Sequence, residues 1–122
     1  MKEIALVTGA SSGIGAELAR VLAAKKIDLI LTARRVERLE QLQNELIQQH
    51  GIAVDVIPND LSTPTGATDL FEAVQSLNKN VSILVNNAGI GVYGKFHEQD
   101  LEKTEAMIRL NLTNLTTLTH LF

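Results

Sequence analysis

Between the apolar run Ile4-Ala5-Leu6-Val7 and Ala16-Glu17-Leu18-Ala19 lie eight residues, Thr8-Gly9-Ala10-Ser11-Ser12-Gly13-Ile14-Gly15, that constrain the fold more than any other stretch. A strand, a glycine turn and a helix start follow one another without a break. Such a turn leaves backbone N–H groups unpaired at the positive end of a helix, with no β-carbons in the way, so a pyrophosphate can rest against them. The spacing is Gly-x-x-x-Gly-x-Gly rather than Gly-x-Gly-x-x-Gly, and the commoner dinucleotide fingerprint does not transfer unchanged. A mobile Ser/Gly linker would not be pressed between an apolar strand and an apolar-periodic helix.

Strand-like runs and helical periodicity alternate along the rest of the chain. Ser12 to Lys25 reads as a helix with Ile14, Leu18, Val21 and Leu22 on its inward face, and Asp28 to Thr32 as a second strand,. Arg35 to Gln49 carries Val36, Leu39, Leu42 and Leu46 on one stripe, with Arg38, Glu40 and Glu45 toward water and Gly51 as the C-terminal cap,. A third strand runs from Ile52 to Ile57. A third helix opens at Thr63 with Pro64 in its first position and Leu70, Ala73, Val74 and Leu77 inward,. Val81 to Val85 forms the fourth strand, and the last helix extends from Glu98 to the end.

Four β-α repeats imply an α/β fold with a doubly wound parallel sheet and helices on both faces; right-handed crossovers narrow the topology to a few choices, of which the natural order is 3-2-1-4. The first two helices then cover one face and the last two the other. In that order the chain reverses direction between the first and fourth strands, so a crevice opens beyond their carboxyl ends. Gly9 to Gly15 and Asn86-Asn87-Ala88-Gly89 both land there.

With 122 residues, 45% of them hydrophobic, the chain has material for one core and one domain,. Eleven Lys and Arg against 14 Asp and Glu argue against a general affinity for nucleic acid or an anionic membrane,. There is no cysteine, and His50, His97 and His120 lack metal-ligand spacing, so no metal site is expected,. Met1-Lys2-Glu3 leads directly into the first strand and no apolar run approaches membrane-spanning length, which points to a cytoplasmic location,.

Thr8-Gly-x-x-x-Gly-Ile-Gly15, the pair Asp60-Leu61 after the third strand, Asn86-Asn-Ala-Gly89 and Asn111 in the last helix, in this order and spacing, resemble the N-terminal half of the short-chain dehydrogenase/reductase family. The resemblance covers the whole chain. It implies that Gly9, Ser11, Ser12, Gly13, Ile14 and Gly15 hold a pyrophosphate, and that Asp60, beside Leu61, meets the adenine amino group. It implies further that Asn86, Asn87, Ala88 and Gly89 steady the central strand and line the nucleoside. Asn111 falls to the catalytic set, holding a water in a proton relay. Its place in the apolar stretch Ile108-Arg109-Leu110-Asn111-Leu112 independently demands a hydrogen-bond partner,.

The family's serine and its Tyr-x-x-x-Lys pair would follow the asparagine helix, and they do not occur in these residues. The single tyrosine, Tyr93, has His97 four residues on, and Tyr93 and Lys95 read as loop residues. Leu115, Leu118, Leu121 and Phe122 run apolar to the last residue, so the expectation is a dinucleotide-binding portion ending before the catalytic Tyr/Lys segment,. By itself it should turn over nothing.

After the second strand, Leu31-Thr32-Ala33-Arg34-Arg35 has no acid to accept ribose hydroxyls, whereas a 2′-phosphate needs a cation,. In the resembling family an arginine here marks NADP, so Arg34, with Arg35 as a second contact, implies NADP(H) in preference to NAD(H). The activity implied is interconversion of a small carbonyl compound and its alcohol, in a homo-oligomer pairing through the last helix. A non-catalytic nucleotide sensor or scaffold with the same fold remains the alternative. A doubly wound methyltransferase is disfavoured by Ala33-Arg34, where such enzymes want an acid.

Overall fold

In the computed structural model, which describes residues 2–122, four apolar runs form one parallel sheet in the order β3-β2-β1-β4. The strands are β1 (Ile4–Thr8), β2 (Asp28–Ala33), β3 (Val54–Pro58) and β4 (Ile83–Val85). Ala5 pairs with both Leu29 and Ile83, and Val7 with both Leu31 and Val85, which makes β1 an interior strand. Strands covered on both sides read as unbroken apolar runs, and Ala5, Leu6, Val7, Leu29, Ile30 and Leu31 are all buried,.

Helices α1 (Gly13–Ala24) and α2 (Val36–His50) cover one face, and α3 (Gly66–Gln75) and α5 (Asn114–Leu121) the other. On the first face Val7, Leu29 and Leu31 meet Ala16, Ala19, Leu39, Leu42 and Leu46. Leu6 and Ile30 point the other way, into Leu61, Leu70, Val74 and Leu118. Gly51 adopts the left-handed conformation, φ 67°, and closes α2 by donating its N–H to Ile47 O,.

The inward face of α1 is not the stripe of large side chains. Ile14 is 72% exposed, Val21 53% and Leu18 37%, and Leu22 is half-buried, while Gly15, Ala16, Ala19 and Ala23 face the sheet. The cause lies in the glycine turn: Gly15 seats directly on the Gly9 carbonyl, and only small residues behind it let the helix lie that close,.

Other boundaries shift for local reasons. Helix α3 starts at Gly66 rather than Thr63, because Pro64 falls in a turn in which Thr63 Oγ1 donates to Asp60 O and the Gly66 N–H to Thr63 O,. Within α3, Leu70 and Val74 are buried and Ala73 is half-buried, as is Leu77 in the turn just past the helix end. Strands β3 and β4 are shorter than their apolar runs, β3 ending on Pro58 at the sheet edge, where the missing N–H costs no ladder bond,. Glu45 is half-buried rather than turned to water, because Arg20 Nε donates to it at 2.8 Å.

The last helix is not continuous. A 3-10 turn, Phe96–Glu98, precedes α4 (Leu101–Ile108), whose first turn is capped by Asp100 accepting from Glu102 N,. A π-turn, Arg109–Thr113, then joins α4 to α5. No helix among the described residues is long and apolar enough to cross a membrane.

Candidate functional site

The carboxyl ends of the strands open into a cleft of about 370 Å³, within the ordinary small-molecule range of about 300–1,000 Å³,. Its floor is an interlock between β1 and β4. Thr8 Oγ1 donates to Val85 O and accepts from the backbone N–H groups of Asn87 and Ala88, each at 3.0 Å. Asn87 Nδ2 in turn donates to Thr8 O and Gly9 O, both at 3.2 Å. Asn86 turns away and donates to Thr119 Oγ1, tying the same loop to α5.

The three glycines of the turn have different tasks. Gly9 has φ 62°, and a β-carbon there would meet Ala88 Cα and Asn87 Nδ2 at 2.9 Å. A β-carbon on Gly15 would collide with the Gly9 carbonyl and lie 2.5 Å from Asn87 Nδ2. Gly13 also needs a positive φ, 57°, yet no protein atom lies within 4 Å of its missing β-carbon. Ser12 makes no side-chain cap and α1 has no acid in its first turn, so the orphan N–H groups of Gly13, Ile14 and Gly15 stay available to an anion,.

At the other end, Arg34 and Arg35 follow β2, are exposed, and form no salt bridge among the described residues. Between the two ends lie buried hydrogen-bonding atoms without partners among the described residues, Thr32 Oγ1 and Asn59 Oδ1. Unsatisfied buried polar atoms are uncommon, and two lining one cleft fit a polar ligand that supplies the missing bonds,.

Asp60 completes this end. Partial burial pushes its carboxyl up, but the hydroxyl and backbone N–H of Ser62, at 2.6 and 2.9 Å, and the charge of Arg34 outweigh that effect and hold it below the ordinary carboxylate range,. Asp60 is therefore an acceptor at neutral pH.

Asn111 has the partner its setting demands: Nδ2 donates to Ile90 O at 2.7 Å and Oδ1 accepts from Ile90 N at 3.1 Å. Each end of the amide keeps one further bonding direction, enough to hold a water.

Ten of the expected residues line the cleft: Gly9, Ser11, Ser12, Arg34, Arg35, Asp60, Leu61, Asn87, Ala88 and Gly89. Gly13 and Ile14 border an adjoining depression along α1, Gly15 is buried behind Gly9, and Asn111 reaches the cleft through Ile90. Sequence reasoning missed Thr32, Asn59, Ile90 and Leu110. A threonine ending the apolar run Leu29-Ile30-Leu31 was the one visible signal. Tyr93 and Lys95 lie exposed in the loop after β4, away from this arrangement. Among the described residues no three acidic or histidine side chains cluster to hold a metal.

Residues 3–122 match the profile of a family described as short chain dehydrogenase. The 7beta-hydroxysteroid dehydrogenase of Clostridium sardiniense is 36% identical over 115 residues, 94% of this chain and 43% of that protein. A short-chain dehydrogenase from Sphingobium yanoikuyae, solved in complex with NADPH, superposes with a TM-score of 0.87 at 38% identity, covering 98% of this chain and 46% of that one. The L-sorbose reductase of Gluconobacter frateurii, solved with NADPH and L-sorbose, gives a TM-score of 0.91 at 32% identity over 98% of this chain and 46% of its own. The chain thus spans slightly less than half the length of these relatives.

Proposed function

Because the chain belongs to the short chain dehydrogenase family, we propose that its cleft binds NADP(H) as the cofactor-holding part of an oxidoreductase that interconverts a small carbonyl compound and its alcohol. The observation that carries this reading is the donor set of the cleft, an uncapped helix start at one end and, at the other, two exposed arginines with no salt bridge among the described residues. The glycine turn, through Gly9, Gly13, Ile14 and Gly15 with Ser11 and Ser12, takes the pyrophosphate against backbone N–H groups. Arg34 and Arg35 take the 2′-phosphate, and Asp60 accepts from the adenine amino group beside Leu61. Ala88 and Gly89 line the nucleoside on the loop that Asn87 fastens. When bound, the nicotinamide supplies hydride chemistry. Asn111 fixes the loop after β4 and holds a water at its side chain for the proton path, and a Tyr-x-x-x-Lys pair outside these residues supplies the acid and base.

Relatives solved with NADPH support the cofactor. Leu101, Ile108 and Leu112, exposed along α4 and the π-turn, support pairing of two copies through this helix,. Parallel titration of the full-length protein that carries these 122 residues, the full chain, with NADPH and NADH, followed by assays of carbonyl reduction, tests the proposal. Tighter NADPH binding with turnover is expected. Binding without turnover would instead favour a nucleotide sensor, and binding of neither cofactor overturns the reading. The 122 residues alone should show no turnover above a buffer control.

A further inference from the structure

We propose that Arg109 and Asn114 are positioning residues for the nucleotide end of the cleft, gripping the loop that carries Asp60 through three successive backbone carbonyls. The inference rests on the NADP(H) reading above. Asn114 is 3% exposed, and its Nδ2 donates both hydrogens, to Leu61 O at 2.6 Å and Thr63 O at 2.7 Å. Arg109 Nε donates to the carbonyl between them, Ser62 O, at 2.7 Å.

Two residues five apart do not normally share a helix face. At about 100° per residue an α-helix would set them roughly 140° apart. The i→i+5 pattern of the turn at Arg109–Thr113 brings the sixth residue back over the first, so both side chains meet the same loop,. Asn111, between them, points to Ile90 on the other loop. One inserted turn therefore serves the two loops that flank the cleft.

The grip reaches the ligand-facing acid by a short path. Arg109 fixes the Ser62 carbonyl, Ser62 donates its N–H and hydroxyl to Asp60 Oδ1, and Asp60 Oδ2 has no partner among the described residues. Gly66 seals the loop from the far side, since a β-carbon there would lie 2.5 Å from Asp60 O. Ser62 and Asp60 are thus oriented by groups that never touch the ligand.

The test uses Asn114→Leu and Arg109→Leu in the full chain, with adenosine 2′,5′-bisphosphate as a probe lacking the nicotinamide. Each variant should weaken the bisphosphate and raise the KM for NADPH by roughly tenfold, with kcat at saturating NADPH within about twofold of wild type. Asn114→Leu strands the buried Leu61 carbonyl and the partly buried Thr63 carbonyl and risks misfolding; Arg109→Leu changes a half-buried side chain and decides the matter in that event. A lower melting temperature with unchanged affinity for the bisphosphate would mean a purely structural role and overturn the proposal. If the wild type binds neither probe nor NADPH, the NADP(H) reading itself fails and takes this one with it.

Discussion

The two ends of the cleft are built in opposite ways. At the glycine turn every element is locked to another: Thr8 to Asn87 and Ala88, Asn87 to Gly9, and Gly15 to the Gly9 carbonyl. At the end of β2, Arg34 and Arg35 stand exposed with no salt bridge among the described residues. The locked end would serve the part of a ligand common to all dinucleotides, and Gly9 and Gly15 there cannot change without disturbing the fold. The free end is a place where selectivity can be altered at little structural cost.

The strongest attempt to break this contrast is Gly15→Val. Its side chain must displace both the Gly9 carbonyl and the Asn87 amide, overpacking that costs about 1–3 kcal/mol before any hydrogen bond is lost,. Denaturant unfolding of the full chain should show that loss together with abolished NADPH binding. A variant that melts and binds normally would show that the turn is not locked.

Gly13→Val sharpens the comparison from within the same loop. The new β-carbon meets no non-neighbouring atom of the described residues, so the main cost to folding is the positive φ, about 1–2 kcal/mol,. Cofactor titration should nonetheless fail, because the side chain occupies the space in front of the helix start, while circular dichroism reports a retained fold.

Arg34→Ala acts at the free end and should leave stability within about 0.5 kcal/mol. A lost charge-assisted hydrogen bond of about 1.5–3 kcal/mol predicts NADPH binding weaker by roughly tenfold to a hundredfold, with NADH unaffected. An unchanged NADPH to NADH ratio would reduce Arg34 to a solvated side chain. Raising the salt should narrow the wild-type ratio, since an exposed cation is screened.

The smallest effect concerns pH. The folded state lowers the Asp60 pKa, so its carboxylate contributes stability above the ordinary carboxylate value and loses it as pH falls through the folded one,. Acid titration of Asp60→Asn beside wild type should show the wild-type advantage disappearing only in the acid range. A difference that persists there would assign the effect to packing.

Much of this was legible in the sequence, for identifiable reasons. Strands buried on both faces announce themselves as unbroken apolar runs, and Leu39, Leu42 and Leu46 repeat at helical spacing and face the sheet as that spacing says,. Arg34 could be placed at the cleft because its position there depends only on where β2 ends. Helix α1 misleads because size is a poor guide where a glycine contact sets the approach: Ala19 is buried and Ile14 is not. The π-turn has no residue pattern of its own. The need of Asn111 for a partner was readable, but the identity of that partner, Ile90, was not. Asn114 lay beyond reach for a similar reason, since its partner Leu61 is 53 positions away.

The interlock between Thr8 and Asn87 also sets a timetable. Their hydrogen bonds join positions 79 apart, whereas β1 finds β2 across the much shorter interval from Ile4 to Asp28. At about 5–20 residues per second, a ribosome needs roughly 4–16 s to go from one residue to the other. Through that interval the glycine turn exists in the nascent chain without the amide that closes it. The strand synthesised first is the one completed last, and the cleft is closed only after all three crossovers have been made.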